Sequence, residues 1–250
     1  MRLVIASLAL LLAACDQAEP PPLPAPPQVV TPEPWFICDA ISAPVLLVFE
    51  REGQVARVAQ YDKPNGAIVQ RTAYEIGAEE GAAGSVYFTL LQNGVEAGAV
   101  RQLNPGILET PSSAYTTPIS SVRIGDREIT CRWLPRTRVM GFTGRRTIVV
   151  SEDRDGDLIY TSYDFPAAAE ARPIDLSDNG RTTTFSLEVR GGSEETTPDA
   201  TRYVFQADSE TRISVDLART RIGRVAVERH GPEPIQVEPL IAYVEGRGGQ

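Results

Sequence analysis

Imidazole, sulfur and ammonium side chains are nearly missing from this chain: its 250 residues include one His, three Cys, two Met and a single Lys. A zinc site needs three or four N/S ligands, and Cys15, Cys38, Cys131 and His230 show no ligand spacing, so neither a metal nor any other cofactor is expected. A basic surplus is also lacking. With 33 acidic against 24 basic residues the net charge is -9, which argues against a nucleic-acid partner. Catalytic signatures are equally scarce: there is no Gly-x-Ser-x-Gly elbow and no phosphate-cradling glycine loop. His230 sits in Arg229-His230-Gly231-Pro232, which reads as a turn, so a Ser-His-Asp enzyme is disfavoured and the chain is read as non-enzymatic. A carboxylate-pair glycosidase stays open on composition alone, although the spacing of the acids points to none. At 42% hydrophobic, the sequence has enough apolar material for a core.

The only long apolar run, Leu3 to Leu12, is too short for a transmembrane helix, which needs about 20 residues, and it follows Arg2 as a signal-peptide core does. Leu12-Ala13-Ala14-Cys15 resembles the bacterial lipoprotein signal box, which implies cleavage after residue 14 and a lipid on Cys15. The alternative is an ordinary secretory signal that happens to end beside a cysteine. Lipid on Cys15 would attach the protein to a membrane facing the periplasm. Asp16 leans toward the inner membrane by resemblance to sorting rules, which differ between lineages. Residues 16–34 hold eight prolines and favour extended polyproline conformation, so residues 15–34 read as a stiff tether. A proline-rich ligand for a recognition domain is the other reading.

From residue 35 the chain has the punctuation of an all-β protein. Asn65-Gly66, Asn93-Gly94, Asp155-Gly156 and Asn179-Gly180 are hairpin signals, because these pairs tolerate the positive φ of tight turns. They separate branched and aromatic runs such as Val45 to Phe49, Ser85 to Leu90, Thr147 to Val150 and Leu158 to Tyr160. One short helix is expected, at Ala167 to Ala171. The chain also echoes itself at an offset near 102. Leu46 to Phe49 with Glu50 to Gly53 and Tyr61-Asp62-Lys63-Pro64 is matched by Ile148 to Val150 with Asp153 to Gly156 and Tyr163-Asp164-Phe165-Pro166. Farther on, Phe88-Thr89-Leu90 with Asn93-Gly94 is echoed by Phe185-Ser186-Leu187 with Arg190-Gly191. Two tandem small antiparallel β-units, barrels or sandwiches, are therefore expected at residues 35–135 and 136–250. The repeat also bears on Asp153-Arg154-Asp155-Gly156-Asp157, whose acids suggest a calcium loop. The required carboxylates at positions 151 and 162 are both Ser, so a hairpin turn is the favoured reading.

Export leaves Cys38 and Cys131 as one pair in an oxidising compartment, within the first unit. Their disulfide would close a long loop and stabilise the fold by roughly 4 to 5 kcal/mol in the chain-entropy model. Two free buried thiols are the alternative. Seven arginines between Arg123 and Arg146 face only Asp126 and Glu128 within the same stretch. They fit either acidic glycans and lipid head groups or the solvated outer face of strands.

The first unit resembles the membrane-bound lysozyme inhibitors of c-type lysozyme. The matching segments, in order, are Phe36-Ile37-Cys38-Asp39, Leu47-Val48-Phe49, Gln60-Tyr61-Asp62-Lys63, Ala83-Gly84-Ser85-Val86-Tyr87, Asn93-Gly94-Val95-Glu96-Ala97 and Cys131. The resemblance covers about residues 35–133 and implies a small periplasmic β-barrel that binds a protein partner. In that family a Ser hydroxyl and a Lys ammonium enter the lysozyme cleft and meet the catalytic carboxylates. Ala83 and Asn93 stand at those two positions here, and Ser85 or Lys63 would have to substitute. Lys63, Gly84, Ser85, Tyr87, Asn93 and Gly94 are thus the expected partner-binding residues. The stretch between Gln102 and Ser121 is longer than the family pattern. The remaining alternative is a structural or assembly lipoprotein that binds envelope glycans or other envelope proteins.

Overall fold

The computed structural model describes residues 33–41, 43–63, 66–107, 109–165, 186–231 and 234–246. The expected signal segment, Cys15, the expected tether up to residue 32, the expected helix at Ala167 to Ala171 and the expected Asn179-Gly180 turn lie outside the described residues.

The first unit is a meander in which each strand pairs antiparallel with the next. Its strands are β1 (Phe36–Asp39), β2 (Val45–Glu52), β3 (Val55–Asp62), β4 (Ala67–Ala82), β5 (Ser85–Gln92), β6 (Val95–Leu103), β7 (Ile119–Ile124) and β8 (Arg127–Thr130). An antiparallel bridge between Ala40 and Cys131 brings the two ends of the sheet together, which makes it a near-barrel. Phe36, Leu47, Phe49, Phe88, Leu90 and Val122 fill its interior.

The second unit repeats the plan with β9 (Thr137–Phe142), β10 (Arg146–Glu152), β11 (Leu158–Asp164), β12 (Leu187–Thr196), β13 (Ala200–Gln206), β14 (Thr211–Ala218), β15 (Gly223–Arg229) and β16 (Gln236–Pro239). A ninth strand, β17 (Ala242–Glu245), returns to pair with β9. Only Leu240 and Ile241 separate β16 from β17, so the chain itself links the two edges of this curled sheet. Its interior holds Val139, Ile148, Val150, Tyr160, Phe205, Val215 and Tyr243.

Strand alternation explains why β2 is buried along its apolar half on both faces. Leu47 and Phe49 turn into the first core, whereas Leu46 and Val48 turn outward into a third apolar layer between the units. That layer joins Ile37, Leu46, Val48 and Tyr61 of the first unit to Met140, Phe142, Val149, Tyr163 and Phe165 of the second. Equivalent registers place these residues on corresponding strands. Ile37 pairs with Val48 and Leu46 with Tyr61 in the first sheet; Met140 pairs with Val149 and Thr147 with Tyr163 in the second. The first unit therefore docks through its first three strands and the second through its first three together with β17, which adds Ala242 and Val244 to the layer.

Candidate functional site

Of the residues expected to meet a partner, Ser85 and Tyr87 come together on the outer face of the first unit. Arg101, directly opposite Tyr87 on β6, donates from Nε to Ser85 Oγ at 3.1 Å and sets its guanidinium over the Tyr87 ring at 5.8 Å. Gly84 forms the preceding turn with φ 75°, and its carbonyl accepts the Asn104 N–H at 2.9 Å. Ser85 is buried beneath this contact, which leaves the half-buried Tyr87 and Arg101 as the side chains able to reach a partner. Arg101 carried no motif signal in the sequence; only cross-strand register reveals it.

The other expected residues lie elsewhere. Asn93 and Gly94 form the exposed β5–β6 turn with φ values of 54° and 75°, at the far end of β5. At about 3.3 Å per strand residue this turn is roughly 25 Å from Ser85, so the two places cannot enter one narrow cleft side by side. Lys63 faces inward. It is 1% exposed, its ammonium lies 2.5 Å from Asp39 Oδ1, and it donates to the Ala40 carbonyl. It has no surface to offer a partner.

Lys63 instead belongs to a buried ion cluster that the motifs did not expose. Asp39 accepts from Arg132 Nε at 2.7 Å, and Arg132 lies over the Tyr163 ring at 3.4 Å from its centroid. Burial pushes the Asp39 pKa up, but the Arg132 guanidinium and the Lys63 ammonium outweigh it and hold the carboxyl below the ordinary value. Asp39 and Arg132 each follow a half-cystine. Cys38 and Cys131 form a disulfide across 93 residues, with sulfurs in the first core and the charged neighbours on the outer face. That Cys-Asp and Cys-Arg adjacency was the available signal, since paired cysteines bring their neighbours together.

The long connection between β6 and β7 reaches across to the second unit. Glu109 pairs with Arg136 at 2.8 Å and Arg154 at 3.0 Å, and Tyr115 donates its hydroxyl to Glu152 at 2.9 Å. The Arg136 N–H also binds the Ser113 carbonyl at 2.6 Å. Burial works to raise the Glu109 pKa, yet the hydrogen bonds from Arg154 and Arg136 leave it below its usual value. The length that departs from the lysozyme-inhibitor pattern thus forms a clasp between the units.

The arginine stretch is largely committed to carboxylates. Arg123 pairs with Glu96, Arg132 with Asp39, Arg136 with Glu109, Arg138 with Glu152, and Arg146 with Asp164 and Glu238. Asp153 closes the β10–β11 hairpin by accepting the N–H groups of Asp155 and Asp157 at 3.0 and 2.9 Å. His230 occupies an exposed bend, its N–H bound to the Glu210 carbonyl. Among the described residues no group of three or more His, Cys, Asp and Glu side chains is arranged to hold a metal. A shallow groove of about 510 Å³ on the second unit is lined by Arg202 and Arg224, which both bind Asp216, at 2.5 and 2.9 Å.

No family model matches the chain, and no curated protein or solved structure matches it either.

Proposed function

We propose that this chain is a non-enzymatic lipoprotein of the bacterial cell envelope, anchored through Cys15, whose first unit binds a protein partner, and that basic c-type lysozymes are the partner class. The observation that carries this reading is the Cys38–Cys131 disulfide, which joins the first strand of the near-barrel to the residue after its last strand. Disulfides persist in oxidising compartments, which agrees with the lipoprotein-like leader. The net charge of -9 favours encounter with a basic protein through long-range attraction. Tyr87 and Arg101 supply the contact, because Tyr and Arg are the side chains that most often anchor interfaces. Arg101 takes the place that Lys63 cannot fill, since Lys63 is sealed against Asp39.

The test is capture on the immobilised chain carrying Cys15→Ser, from envelope extract and from a lysozyme solution in parallel. Retention of lysozyme, weakened about tenfold by Arg101→Glu, is expected for an anchor residue. Capture of an envelope protein with no retention of lysozyme would replace this reading with the structural or assembly one.

A further inference from the structure

The seam that closes the first unit and the contact that docks the second use the same residues. Between β1 and the chain after β8, the seam consists of the Ala40–Cys131 bridge, with backbone bonds from Ile41 to the Thr130 carbonyl at 2.9 Å and from Arg132 to the Asp39 carbonyl at 2.8 Å. The corresponding seam of the second unit pairs four residues of β17 with β9. The disulfide reinforces this short seam. On the outer side of that seam Asp39 holds Arg132, and Arg132 lies against Tyr163 of the second unit.

We propose that the Cys38–Cys131 disulfide is the latch that holds the two units docked, and that replacing it with two unlinked side chains unlatches them. The seam then loosens, Asp39 and Arg132 lose their fixed register, and the apolar layer between the units opens. The second unit keeps its own strand pairing, because no bond within its sheet passes through the disulfide. The latch does not depend on which partner the protein binds.

Met140 reports on this opening. It is the only methionine after Met1, it lies in the layer between the units, and it is 5% exposed. Hydrogen peroxide converts an accessible methionine to the sulfoxide, which mass spectrometry detects. In the full chain with Cys38→Ser and Cys131→Ser, Met140 should oxidise about tenfold faster than in the disulfide-bonded protein, through local opening. Amide protection in β13 and β14 should be kept. Arg132→Gln, with the disulfide intact, should also raise the Met140 rate, since it removes the link to Tyr163. An unchanged Met140 rate in the double Ser variant would overturn the proposal. So would loss of protection in β13 and β14 together with Met140, because the disulfide would then hold the whole chain and not the docking.

Discussion

The Arg132 guanidinium lies 3.4 Å from the centre of the Tyr163 ring, joining the residue after Cys131, which closes the first sheet, to β11 of the second unit. Both partners are buried, at 5% and 4% exposure, so the cation is shielded from water and the attraction to the ring is stronger than at a surface. Asp39 balances the charge from the other side, and Lys63 completes the cluster. A buried, charge-compensated cluster thus lies beside the apolar layer between the two units.

Truncating Arg132 should therefore be costly. Arg132→Ala leaves Asp39 with half of its compensation in a dry site, and loss of one partner of a buried pair typically costs about 3 to 5 kcal/mol. Urea unfolding followed by tryptophan fluorescence should show that loss. A change below about 1 kcal/mol, the size seen for exposed pairs, would contradict the burial of the cluster.

Acid should act on the same cluster. The Asp39 carboxyl titrates below its unfolded value of about 3.9, so its contribution is present above that pH and is lost as pH falls through the lower folded value. Unfolding midpoints measured from neutral pH downward should fall more steeply at the acid end for the natural chain than for Asp39→Asn. The Asn variant should be less stable at neutral pH, where Lys63 and Arg132 lose their counter-ion. Parallel pH curves for the two proteins would contradict the assignment.

Gly141 takes, in the second unit, the place that Cys38 takes in the first: Cys38 pairs with Leu47 and Gly141 with Ile148. A Cβ at residue 141 would stand 2.9 Å from Tyr243 Cβ and 3.2 Å from the Ala242 carbonyl oxygen. Close packing on Tyr243 thus occupies the position where the first unit has its disulfide. Gly141→Ala should destabilise the chain by about 1 to 3 kcal/mol through overpacking. Thermal unfolding checks this, and an unchanged midpoint would show that β17 moves freely away from β9.

Much of the fold is legible in the residues because turns and alternation are local. Asn93-Gly94 and Asp155-Gly156 mark the β5–β6 and β10–β11 hairpins, and the cysteine pair is found bonded. The first echo joins corresponding elements, since β2 and β3 follow β1 in the chain as β10 and β11 follow β9, with equivalent cross-strand registers. The second echo does not. Phe88 and Leu90 belong to β5, the fifth strand of its unit in chain order, whereas Leu187 and Arg190 belong to β12, the fourth described strand of its unit in chain order. One alternating hairpin resembles another at the level of single residues, and only pairing separates them. The surroundings of Lys63 and Arg101 were hidden for the same reason. Each is fixed by contacts with residues distant in sequence, Asp39 for the first and Ser85 with Tyr87 for the second.

The most direct test of the proposed activity is a titration of a basic c-type lysozyme, hydrolysing bacterial cell walls, with the disulfide-bonded chain carrying Cys15→Ser. Lysozyme activity should be lost as the chain reaches equimolar amount, and should recover when Arg101→Glu replaces the natural chain. Full lysozyme activity at a large molar excess of the natural chain would contradict it.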